Sequence, residues 1–147
     1  MLYNGFMLIL ALAILLEPTS SFAVEPLAIS QTSALSFGTA PQGDGPVVIP
    51  AGNTETSTNG SFQITGEPNT AYSIVLPSNP ITLTTGAGGA NETITVSNFQ
   101  SFPPEGANGA LGPGGTQTLY VGATRTALSV NQARGSYSGT FMITISY

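Results

Sequence analysis

The 147-residue sequence has no cysteine, histidine, tryptophan or lysine, and its only bases are Arg125 and Arg134. Without thiols there is no disulfide framework and no thiolate nucleophile. Without imidazole there is no base for a Ser-His-Asp hydrolase and no Cys/His zinc site. The lack of lysine removes Schiff-base chemistry, and two bases make no footprint for nucleic acid. Charged residues are 6% of the chain and the formal net charge is −5, a balance that favours solubility and gives no attraction to an anionic membrane surface. The carboxylates beyond the first 23 residues are Glu25, Asp44, Glu55, Glu67, Glu92 and Glu105, scattered in or beside turn sequences. Nothing in that spacing holds two acids face to face for glycoside hydrolysis. Gln42-Gly43-Asp44-Gly45 reads as a turn rather than a calcium loop. No catalytic, cofactor-binding or metal-ligating residue is therefore assigned.

What is present begins with an apolar run from Phe6 to Leu16, stopped by Glu17-Pro18. Eleven residues are too few for a bilayer core, which takes about 20, but they suit the central region of a secretory leader. Ser21-Phe22-Ala23 supplies small residues at the positions a signal peptidase reads, so residues 1–23 are expected to be a signal peptide, although its first five residues carry no Lys or Arg. The expected location of the mature protein is periplasmic, cell-surface or extracellular, with no membrane segment of its own.

After Val24 the pattern is period two, interrupted by Gly, Pro, Asn, Ser and Thr. Leu27 and Ile29 alternate with small or polar residues, as do Leu35 and Phe37, Phe62 and Ile64, and Tyr72, Ile74 and Leu76. The same holds for Ile81 and Leu83, Ile94 and Val96, Leu119 and Val121, and Leu128 and Val130. Val47–Ile49 is a short apolar run between prolines. The clearest alternation closes the chain: Phe141, Ile143, Ile145 and Tyr147 against Met142, Thr144 and Ser146. About eight or nine short strands separated by turns predict an all-β fold, an antiparallel immunoglobulin-like β-sandwich. Two glycine-rich stretches, Thr85–Asn91 and Gly106–Gly115, are expected as loops; neither has the Lys and following helix of a phosphate-binding loop. Asn59-Gly60-Ser61 and Asn91-Glu92-Thr93 match the glycosylation pattern, as Thr/Ser-rich sequence does by chance.

Tyr137, in Arg134-Gly135-Ser136-Tyr137-Ser138-Gly139, precedes the last strand. Its place suits a tyrosine corner, in which the hydroxyl bonds back to the chain just upstream; the other reading is an aromatic that stacks on a ligand. Phe99, Phe102 and Tyr120, with Asn98 or Gln100 beside them, are candidates for stacking on a sugar face.

Five blocks resemble, in order and spacing, a bacterial secreted family known as domain of unknown function 4402. They are Leu35-Ser36-Phe37-Gly38, Thr65-Gly66-Glu67-Pro68, Tyr72-Ser73-Ile74, Gln117 to Gly122 and Gly135 to Phe141. The likeness spans about Leu35 to Tyr147 and implies a secreted all-β domain without catalytic residues. Arg125 stands where that pattern leads one to expect an apolar residue. More loosely, the chain resembles pilin subunits of the chaperone–usher type, whose sandwich lacks its last strand and is completed by an N-terminal extension of the next subunit. That resemblance implies that residues 24–34 are an extension and candidate donor segment, carrying Leu27 and Ile29, ahead of a domain at 35–147. It makes Phe141, Ile143, Ile145 and Tyr147 the lining of an acceptor groove. A terminal strand without Lys or Pro leaves a row of unpaired backbone groups unless a neighbour covers it. It is either central in its own sheet or open to strand addition. The leading expectation is a structural subunit of a surface fibre or pilus-like assembly, self-associating or joined to a pilin-like partner. The alternative is a self-contained surface module for carbohydrate or matrix.

Overall fold

A computed structural model describes residues 23–147; the expected signal peptide falls almost wholly outside the described residues. Among the described residues there is no helix, and nine antiparallel strands form two sheets. They are β1 (Ala28–Ser33), β2 (Val47–Ile49), β3 (Gly60–Thr65), β4 (Ala71–Val75), β5 (Ile81–Thr84), β6 (Thr93–Phe102), β7 (Gly106–Ala110), β8 (Thr116–Arg125) and β9 (Thr144–Ser146). The larger sheet runs β1-β3-β8-β6-β5, and β2 takes the place of β3 along the end of β8; the smaller runs β7-β4-β9. The all-β sandwich expected from the alternation is the fold found.

The core follows from the pleat. Along β8, Leu119, Val121 and Ala123 point inward and are essentially fully buried, and on β4 Tyr72 and Ile74 face them from the smaller sheet. Ile64, Leu76 and Leu111 complete the buried cluster, with Leu27, Phe62, Phe99, Phe141, Ile143 and Ile145 packed around it. At Gly122, where β8 passes from β3 to β2, a Cβ would overlap the Ile49–Ala51 backbone. β6 carries an irregularity between Ser97 and Gln100, with Asn98 at φ 52°, so Val96 and Phe99 both face inward although three positions apart.

Four expectations need correction. Leu35–Phe37 is not a strand; its one backbone bond beyond the ladders runs from Ser36 N to the Thr58 carbonyl. Leu128–Val130 is not a strand either: Leu128 N bonds the Asp44 carbonyl and Val130 is exposed. The terminal ladder is limited to Thr144–Ser146, because the register that sets Thr144 against Val75 next reaches Leu76 and Pro77, and proline has no N–H to give. Conversely, Gly106–Ala110, expected as loop, is a strand. Gly109 lies under the Tyr72 ring, which a side chain there would overlap, so β7 shows no alternation while pairing through its backbone with β4.

Tyr72 is 2% exposed and its hydroxyl donates to Gln117 Oε1 at 2.8 Å. Burial pushes its phenol up from 10.0 to about 12. Below pH 10 the proton is held in folded and unfolded chains alike, and the contribution is complete. Between 10 and 12 the unfolded chain ionises first, so stability falls, by on the order of 2 kcal/mol. Urea unfolding of wild type and Tyr72→Phe across this window should show the loss in wild type in excess of that in the variant.

Candidate functional site

β9 is an edge strand. It pairs with β4 through Thr144↔Val75, Ile145↔Ile74 and Ser146↔Ser73, and no strand among the described residues lies on its other side. Phe141, Ile143 and Ile145 point inward against the core, while Met142 stands 78% exposed. Phe141 packs edge-on to Phe62 at 6.1 Å between ring centroids and lies 5.0 Å from Phe99. Beside this segment a shallow cleft of about 260 Å³ is lined by Ile29, Gln31, Phe62, Phe141, Met142 and Ile143. The structure therefore brings Ile29 of the expected donor segment to the same place as Phe141 and Ile143.

The donor segment itself is engaged within its own chain. Residues 24–34 run into β1, which pairs antiparallel with β3, from Ala28↔Thr65 to Ser33↔Ser61. Leu27 packs on the core, whereas β1 is otherwise largely exposed. Tyr147 closes the arrangement: its hydroxyl donates to the Glu25 carbonyl at 2.6 Å and accepts from Glu67 N at 2.7 Å. Glu25 N donates to Glu67 Oε2 at 3.0 Å. The two ends of the domain are thus clasped to each other and to the Gly66–Asn69 turn, where Asn69 has φ 56°.

A larger cleft, about 920 Å³, opens at the other end of the sandwich between residues 34–42 and residues 132–139. Its floor is the inner face of β5 and β6, and Phe141 stands at its border. Tyr137 forms part of the wall. Its hydroxyl donates to the Ala133 carbonyl at 2.6 Å and accepts from Gln132 Nε2 at 2.9 Å. Gln132, 6% exposed, also reaches the Asn91 and Thr93 carbonyls through Nε2, and its own carbonyl accepts from Gln42 Nε2. This network fastens the 132–137 segment to the β6 approach and to the opposite wall.

Arg125 points inward with Val121 and Ala123 and is 3% exposed. Its Nη2 lies 2.7 Å from Asp44 Oδ2 and 3.1 Å from the Gly45 carbonyl, and Nη1 donates to the Thr126 carbonyl. Its Nε has no partner. A carboxylate from the 41–45 turn is what lets a cation occupy an apolar position of β8. Four other acids are also engaged: Glu55 accepts from Ser61, Glu67 from Glu25 N, Glu92 from Gly89 N and Glu105 from Leu76 N. Among the described residues no three Asp or Glu side chains converge on a metal-sized point.

The aromatic candidates are divided. Phe99 is packed against Phe141, while Phe102 and Tyr120 face each other in register on the outer face of the large sheet, Phe102 exposed. None of the three lines either cleft. Asn59, in one of the glycosylation matches, is 1% exposed, with its side chain bonded to Ala51, Thr54 and Thr56, so it organises a loop and is closed to modification. Sequence reasoning missed the structural parts of Asn59, Gln132 and Gln117. A buried amide looks like any loop residue until its carbonyl partners are assembled around it.

A family model described as domain of unknown function (DUF4402) matches residues 27–147, a span that takes in β1 as well as the rest of the sandwich. No curated protein and no solved structure matches the chain.

Proposed function

Since the chain belongs to this family, the domain of unknown function DUF4402, whose description assigns no activity, we propose from the edge geometry a non-enzymatic structural role. The protein serves as an exported subunit of a surface fibre or pilus-like assembly, joined to its neighbour by strand addition. The observation that carries this reading is the one-sided pairing of β9, next to an apolar cleft. An added strand would satisfy the free backbone groups of β9 and cover Phe62, Phe141 and Ile143, the usual basis of β-augmentation. The edge strand is short, but it carries neither of the residues that block pairing most directly, since Thr140–Tyr147 contains no Lys and no Pro.

In this reading Phe141, Ile143, Ile145 and Tyr147 belong to the acceptor. The donor is the Leu27–Ile29 segment of a second copy, which must first leave its own β3. The edge position and exposure of β1, with Leu27 ahead of it as the main apolar anchor, support such an exchange, which must also break the Glu25 bonds to Tyr147 and Glu67. An aromatic sugar platform has less support, because Phe99 is packed inside and the other two rings line neither of the two clefts described.

Met142→Lys tests this directly. Met142 is exposed, so the substitution should change stability by no more than about 0.5 kcal/mol, yet it sets a charge on the free edge. Light scattering should show concentration-dependent oligomers for wild type and a monomer for the variant. A wild-type protein that stays monomeric at all concentrations, or a variant that assembles as well as wild type, overturns the proposal.

A further inference from the structure

The smaller sheet has three strands against a larger sheet five strands across, and the inner face of β5 and β6 is left without a strand opposite it. Ile81, Leu83, Ile94 and Val96 on that face form the floor of the 920 Å³ cleft. A volume in this range is typical of sites for small organic molecules, and the lining is mixed, with Ser36, Gln42, Gln132, Ser136 and Tyr137 around the apolar floor. The charge distribution is less usual. Among the described residues, which carry six acids and two bases, both bases line this cleft and no acid does. Arg125 is 3% exposed beneath the floor, its charge largely offset by Asp44 while its Nε lacks a partner. Arg134 is exposed at the rim and forms no ion pair among the described residues.

We propose that this cleft binds a small amphipathic anion, an aliphatic carboxylate. The hydrocarbon tail lies on Ile81 and Leu83, the part-exposed side chains of the floor, and the carboxylate faces Arg134. Removing the tail from water supplies the driving force. Arg134 sets the preference for an anion over a neutral or cationic head, because it is the one guanidinium in the lining not already answered by a carboxylate. The site is independent of strand addition, which uses the free edge of β9 with Met142 and Ile143; Phe141 alone borders both clefts.

The test is a titration of the purified protein with decanoate below its micelle-forming concentration, with decanol and decyltrimethylammonium in parallel. It is followed by calorimetry and backbone amide shifts. Decanoate should bind more tightly than either analogue, moving the amides of Ile81–Thr84 and Thr93–Val96. Arg134→Glu should weaken decanoate by about tenfold or more at low salt, and less at high salt, while leaving decanol and the unfolding midpoint unchanged. Leu83→Gln should weaken decanoate and decanol together. No decanoate binding, equal binding by Arg134→Glu, or shifts confined to Met142–Ile145 would each overturn the assignment. The last of these would leave the strand-addition reading standing, and a failure of Met142→Lys to block assembly would leave this one standing.

Discussion

Replacing Ile74 with alanine is expected to destabilise the domain by about 3–4 kcal/mol, in the range for deleting a fully buried branched side chain without collapse of the space left. Ile74 is 0% exposed and sits in the middle of the small sheet, opposite Ile145 of β9 and Gly106 of β7. Its loss loosens all three strands and their packing on Leu119 and Val121. Ile81→Ala is the contrast. Ile81 is half-buried on the floor of the larger cleft, where truncation opens no enclosed void, and the expected cost is about 1 kcal/mol. Urea unfolding of both variants measures the difference. Equal losses would mean that the floor of β5 and β6 is covered in solution, and would take away the cleft.

Asp44→Ala should cost about 3 kcal/mol, because it leaves the Arg125 guanidinium buried with only the Gly45 and Thr126 carbonyls for company. The value sits at the lower end for broken buried pairs because Asp44 is 36% exposed and water reaches it. Arg125→Leu combined with Asp44→Ala should recover most of the loss and come within about 1 kcal/mol of wild type, since an aliphatic residue suits this inward position of β8. Chemical denaturation of the two single variants and the double variant closes the cycle. A double variant no better than Asp44→Ala would show that Arg125 is held by something other than the need to be paired.

Alternation was a dependable guide wherever a strand had partners in register. Phe62 and Ile64, Tyr72 and Ile74, Leu119 and Val121 all face the core as their spacing predicts. It misled where alternation had no ladder to join. Leu35 and Phe37 wall the larger cleft, and Leu128 N donates to the Asp44 carbonyl of the 41–45 turn. It was silent where the backbone alone makes the strand, as in Gly106–Ala110 beneath Tyr72. Of the candidate site, the inward set Phe141, Ile143 and Ile145 was legible because period two is a local property. The clasp of Tyr147 to Glu25 was not, because it joins residues 122 positions apart.

The composition, with its missing histidine, cysteine and lysine, and the period-two spacing determined by themselves an antiparallel sandwich without thiol or imidazole chemistry. Both are properties of short stretches of chain, where side-chain type and the pleat act within a few residues. Tertiary structure decided that β9 has one neighbour and that β1 is paired at home. It also decided that Arg125 is buried against Asp44 and that the inner face of β5 and β6 meets two irregular segments rather than an opposing strand. The reason is the same in each case: which edge or face remains open depends on how many strands the opposite sheet has and where a proline ends its ladder, and no local pattern records that count.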